Sequence, residues 1–295
     1  MNQVRDLSQQ LRFQLSKFHY GSNYLRVHQG ALRATVQDSL QALYRQLLAP
    51  LAPALADRGL VIVPHGPLHY LPFHALYDGR QYLLERHQVS YAPSAAVWQM
   101  CLGKQPRALG PALVLGVPDQ GIPYVLDEVR GVGQTLGQAR VLIGAEATTE
   151  ALRRWGPEAR LIHLASHGAF RADNPLFSAL RLGDGWLTAR EVYGLELRGT
   201  LVTLSACDTG LNQVAAGDEL IGLARGFLYA GAPSLVVSLW TVHDQAAAAL
   251  MQHFYTALSQ GLGKAAALRL AQLETLADHP HPYYWAPFVL MGQGQ

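Results

Sequence analysis

The chain of 295 residues holds only two cysteines, Cys101 and Cys207. That is too few for a disulfide framework or for a zinc site built from paired cysteines, and it leaves a free thiol available for chemistry. Charge is scarce as well: 15% of residues are Asp, Glu, Lys or Arg, the formal net charge is +2, and no stretch gathers five or six like charges. The basic footprint of a nucleic-acid binder is missing, so no direct nucleic-acid partner is expected. No apolar run reaches the roughly eighteen residues of a membrane span, and the opening MNQVRDLSQQLRFQ is polar where a secretory signal would be apolar. The expectation is a cytoplasmic protein without a membrane partner. G-x-S-x-G and P-loop patterns are also absent, which removes support for a serine-hydrolase elbow and for phosphate chemistry.

What the chain does have is apolar surface, with 49% hydrophobic residues. Between Gly30 and Pro50 neither glycine nor proline occurs, and Val36, Leu40, Leu43 and Leu47 fall on one helical stripe. This predicts a helical lead-in. Strand candidates follow at GLVIV and HQVSY, and then, beyond the breaker-rich linker LGKQPRALGP at 102–111, at ALVLGV, ARVLIG, RLIHLAS, TLVTLSA, APSLVVSLW and PFVLMG. Helix-like segments separate several of them, so the pattern is α/β: a mostly parallel sheet, its strands apolar throughout because both faces are covered. SALRLGDGWLTARE reads as a hairpin turning near Gly183 and Asp184. Two units are expected, 1–105 and 106–295.

In an open parallel sheet, ligands sit beyond the carboxyl ends of the strands. His167 and Cys207 are each placed just past such an end, in RLIHLASHG and LVTLSACDTG. A cysteine nucleophile works as thiolate and needs a neighbouring imidazole to handle its proton. If the two strands are neighbours, the pair meets. Gly168 leaves room for a substrate carbonyl, and its N–H together with that of Cys207 could hold an oxyanion. The competing reading of Cys207 is a buried structural thiol. His163 and His167 would lie about 13 Å apart along a strand, too far to share a metal ion, so His163 is read as a core histidine and no metal or cofactor is expected. GVGQTLG at 131–137 lacks dinucleotide-loop spacing and reads as a glycine-broken helix or turn. Cys101 is assigned to packing. Most of the twelve histidines, as in HPHPYY, are expected at the surface.

LIHLASHGAF, LVTLSACDTG, GDELIGLARGFLYAGAPSLVVSLWTVHD and HPYYWAPFVLMG, in that order, resemble the CHAT domain. That family is a caspase-like cysteine peptidase of the clan that also holds separases, gingipains, legumains and metacaspases. The upstream LVIVPHGPLHYLPFHAL extends the likeness to roughly residues 35–292. The resemblance implies an inactive caspase-like portion followed by an active one, with His167 and Cys207 as the catalytic dyad and the Gly168 and Cys207 amides on the oxyanion. It also implies protein or peptide substrates, regulation through helical repeats or associated subunits, and roles in bacterial defence or programmed cell death. The residue two before the nucleophile, Ser205, is small and neutral where an acid would have indicated a basic residue at the cut. Asp218, Asp244 and Trp240 remain as candidates to line the substrate pocket, although either acid could instead cap the helix that follows it. The alternative to an enzyme is an inactive module that recruits partners through its surface.

Overall fold

The computed structural model describes residues 2–20, 22–56, 58–105, 107, 109–169, 174–208, 219–240, 242 and 244–295. In chain order these form α1 (Asn2–Ser16), α2 (Ser22–Leu47), α3 (Ala52–Leu55), β1 (Leu60–Ile62), α4 (Leu83–Arg86), β2 (Val89–Tyr91), α5 (Ala95–Leu102), β3 (Ala112–Gly116), α6 (Val125–Leu136), β4 (Ala139–Ile143), α7 (Thr149–Trp155) and β5 (Leu161–Ala169). They continue with β6 (Ala179–Leu182), β7 (Gly185–Thr188), α8 (Ala189–Val192), β8 (Leu201–Asp208), α9 (Glu219–Tyr229), β9 (Ser234–Ser238), α10 (Asp244–Ser259), α11 (Lys264–Asp278), α12 (Pro282–Trp285) and β10 (Phe288–Gly292).

The strands make one sheet in the order β1-β2-β10-β9-β8-β5-β3-β4. Along that path every pairing is parallel except β10–β9, which is antiparallel, and β10 joins β2 through Met291 and Tyr91; off the path, β6 and β7 add antiparallel pairings beside β5. Alternate residues of the inner strands feed two apolar layers. Val114, Ala165, Val236 and Leu290 pack with α6, α10 and α11, whereas Leu115, Leu164, Val237 and Val289 pack with α2, α8 and α9. Because both layers exclude water, β3, β9 and β10 are buried along their whole length, and the two-residue alternation of a half-solvated strand is erased. In the lead-in helix, Val36, Leu40 and Leu43 of α2 are at most 1% exposed. They seal the second layer.

Three details depart from expectation. Of the glycines at 131–137 only Gly137, at φ 70°, ends the helix, since α6 runs unbroken through Gly131 and Gly133. A Cβ at Gly133 would come within 2.5 Å of Val141 on β4, and one at Gly131 within 2.8 Å of Gln252 on α10. The glycines are there for close packing. Secondly, His167 and Cys207 lie inside β5 and β8, not past their ends. The β6–β7 hairpin lengthens β5 by pairing with Gly168 and Ala169, and turns at Gly183 and Asp184 as expected. Thirdly, His281 is 1% exposed, not a surface residue. Pro282 and Tyr283 start α12 over its ring, the Tyr283 N–H donates to Nδ1 at 3.1 Å, and Phe18 packs on it at 4.3 Å.

Burial has a pH cost at two histidines. Desolvation lowers His281 to about 4 and His74 to about 3, from the ordinary 6.5. Both stay neutral in the fold and take up a proton on unfolding once the pH drops below 6.5. Their contribution is complete above that value and is lost as the pH falls towards the folded values. Between pH 7.5 and 5 each should remove about 2 kcal/mol of unfolding free energy. Urea melts of wild type and His74→Gln across that range should show a shallower acid loss in the variant.

Candidate active site

Strands β3, β5 and β8 are neighbours and run parallel, so the segments leaving their carboxyl ends converge over one edge of the sheet. The β5–β8 ladder pairs His163 with Thr203, Ala165 with Ser205, His167 with Cys207 and Gly168 with Asp208. Paired strands stand about 4.8 Å apart, which makes His167 and Cys207 immediate neighbours across the ladder. Ser205 is buried at 7% exposure. Gly168, also buried, pairs with Leu180 of β6 as well.

The imidazole of His167 has a partner that sequence reasoning missed. Asp119, in the loop after β3, places Oδ2 2.6 Å from His167 Nε2. Its other oxygen, Oδ1, accepts the N–H groups of Gly121 at 2.7 Å and Ile122 at 3.3 Å, so the loop itself fixes the carboxylate. Burial works against ionisation here, but the Gly121 N–H and the adjacent imidazole outweigh it and hold the carboxyl below its ordinary value. A carboxylate can only accept, so Nε2 carries the proton and Nδ1 of a neutral ring keeps its lone pair. That Nδ1 is enclosed and has no hydrogen-bond partner among the described residues. Gly121 lies close to the ring: a Cβ there would sit 3.6 Å from Cε1 and 3.2 Å from Asp119 Oδ1. The signal was available in the sequence, because ALVLGVPDQG places an acid three residues past a buried strand, the same kind of position that drew attention to His167.

Nearer the start of the same ladder a buried polar chain ties β5 to β8. His163 Nδ1 lies 3.0 Å from Tyr255 Oη, which donates to Thr203 Oγ1 at 2.8 Å. Since the tyrosine proton goes to Thr203, His163 Nδ1 must donate to it. On the other side of the ring, Nε2 stands 3.1 Å from Glu128 Oε1 without the alignment of a hydrogen bond. His163 thus belongs to the interior, as expected. Tyr255→Phe would orphan His163 Nδ1–H and Thr203 Oγ1 in a dry layer, at about 1–3 kcal/mol for each group. A drop of that size in chemical-denaturation free energy, partly restored by adding Thr203→Val, is the expected result.

The remaining candidates are more scattered. Trp240 lies two residues past β9; its Nε1–H donates to the Tyr283 carbonyl at 3.2 Å, and the ring packs against the core. Asp244 is the first residue of α10. Asp218 lies outside the described residues. Cys101 is fully buried in α5, and burial pushes its thiol pKa up.

A mostly parallel sheet flanked by helices, with a histidine and a cysteine paired across its central strands, is the caspase-like fold. Separase, in the yeast separase–securin complex from Saccharomyces cerevisiae, superposes with a TM-score of 0.57 at 15% identity, over 76% of this chain and 14% of that one. Gingipain R, an Arg-specific cysteine proteinase, gives 0.51 at 9% identity, over 71% of this chain and 55% of that one. The CHAT domain model matches residues 37–293, and the chain belongs to that family. Among curated proteins it is similar to Tetratricopeptide repeat protein 28 of Homo sapiens and of Mus musculus, each 28% identical over 323 residues. The alignment takes in 86% of this chain and only 13% of either relative. No helix among the described residues is long and apolar enough to cross a membrane.

Proposed function

We propose that this chain is a cysteine endopeptidase in which Cys207 is the nucleophile and His167 the acid–base group. The observation that carries the reading is the ladder pair His167–Cys207, on an imidazole whose Nε2 is held by Asp119. With Nε2–H committed to the carboxylate, Nδ1 takes the thiol proton, and the thiolate adds to a peptide carbonyl to form a C–S bond. The resulting oxyanion is held by the amides of Gly168 and Cys207. Collapse breaks the C–N bond, the imidazolium returns its proton to the leaving amine, and water then hydrolyses the thioester with His167 as base. Asp119 is a positioning residue that fixes tautomer and ring orientation.

Ser205 makes the floor beside the nucleophile small and neutral, and Trp240, Asp218 and Asp244 are proposed to shape the rest of the substrate site. The first portion, 1–105, acts as scaffold and the second, 106–295, as the catalytic part. Substrates are proteins of the cytoplasm, and a helical-repeat region or an associated subunit controls access, in a defence or cell-death setting. The test is to incubate wild type and Cys207→Ala with a proteome-derived peptide library and sequence the new termini. Termini made by wild type alone support the reading; cleavage by both proteins sinks it. The name of the curated relatives, a repeat protein, favours a second reading as a non-catalytic recruitment module. That reading gains if neither protein cuts while both bind one partner equally.

A further inference from the structure

At the pole of the sheet opposite His167, the first residues of β5, β8 and β9, Leu161, Leu201 and Ser234, frame an open cavity of about 210 Å³. Among the described residues three cations line it, Arg107, Arg160 and Lys264, and no acidic side chain does. Lys264 is the first residue of the fifteen-residue helix α11 and is only 9% exposed. Burial lowers its pKa, and no hydrogen bond or ion pair to another described residue engages its ammonium. A buried charge left without a partner is costly.

Cations often gather at helix carboxyl ends to cover open carbonyls, but that need is small here. At the end of α10 the carbonyls of Thr256, Ala257 and Leu258 already accept the N–H groups of Gln260, Leu262 and Gly261. Arg160 and Arg107 reach the carbonyls of Leu136 and Arg198 only at 3.4 Å. The amino end of α11 adds little, because the Ala265 N–H already donates to the Gly294 carbonyl at 2.9 Å and Gln295 packs beside the cap residue Gly263. The largely buried lysine and the two guanidinium groups, each held only weakly by a carbonyl, therefore leave the cavity with an excess of positive charge.

We propose that this cavity binds a phosphate group, free or carried on a small molecule, with Lys264 as its central ligand. The inference is independent of the peptidase reading. It is tested on the full chain by calorimetry and thermal melts with inorganic phosphate and with AMP, at ionic strength held constant with chloride. Saturable binding should raise Tm by about 2–4 °C at ten times Kd. Lys264→Met keeps the apolar stem; it should raise Tm without phosphate and weaken binding at least tenfold, the opposite signs marking a ligand lysine and not a structural one. Arg107→Gln, at a half-exposed position, should weaken binding several-fold and decides the matter if the lysine variant does not fold. Tighter binding of AMP identifies a phosphorylated small molecule, and binding of phosphate alone a free oxyanion. The proposal is overturned if neither probe gives a saturable response, if chloride reproduces it, or if it survives unchanged in the folded variants.

Discussion

His167→Ala is expected to slow acylation of Cys207 by about 10²–10⁴-fold at neutral pH, the usual worth of a positioned acid–base group. The ladder makes the two residues neighbours, and in the proposed reading the imidazole takes the thiol proton. Without it, Cys207 should react as an unassisted thiol, with residual reactivity rising towards an ordinary pKa of about 8.5. The measurement is the second-order rate of inactivation by a peptidyl chloromethyl ketone between pH 5 and 10. A His167→Ala profile that overlays wild type in rate and shape would show that the imidazole does not act on the sulfur.

Asp119→Asn should cost about 10²-fold. A buried aspartate in a Ser-His-Asp triad is worth about 10⁴ when changed to Asn, because the amide enforces the wrong imidazole tautomer. Here the Asp119 side chain is 51% exposed, so water competes and the effect is smaller. The Asn carbonyl can still accept from Gly121, which leaves the NH₂ facing His167 Nε2. The ring proton then moves to Nδ1, and the base is lost. The carboxyl of Asp119 is held below its ordinary value, so its contact contributes fully above the unfolded pKa of about 3.9 and is lost only as pH falls through the lower folded value. Acid should therefore not remove the Asp119 contact until the pH falls below about 3.9, whereas the variant is impaired across the whole range. KM should move little, which separates a tautomer effect from a damaged fold.

How much of this could be read in the sequence depended on what each residue reports locally. Strands β3, β5, β8, β9 and β10 announced themselves as short apolar runs, since burial on both faces leaves no polar alternation to mislead. The mostly parallel class followed; the adjacency of β5 and β8, on which the site rests, entered only as a condition and is supplied by the ladder. Gly131 and Gly133 misled because a glycine serving close helix packing looks the same in sequence as one breaking a helix. His281 misled because HPHPYY is polar in composition, while its burial comes from Phe18 more than 260 residues away. The helix α11 gave a weak signal: its buried face mixes three alanines and Leu268 with Lys264, Gln272 and Thr275, without a stripe of large apolar residues. Asp119 went unnoticed for a related reason. An acid in a loop is ordinary until the order of strands places β3 beside β5, and that order is a long-range fact.

The central claim is that Cys207 is a thiolate nucleophile served by His167, and intact-mass analysis with peptide mapping after treatment with a peptidyl chloromethyl ketone tests it most directly. Cys101, enclosed in α5 with its thiol pKa raised, is the internal control. The account predicts one adduct per wild-type chain, carried on Cys207, and none on folded Cys207→Ala. Equal labelling of the two cysteines, or an unmodified Cys207 in folded wild type, would contradict it.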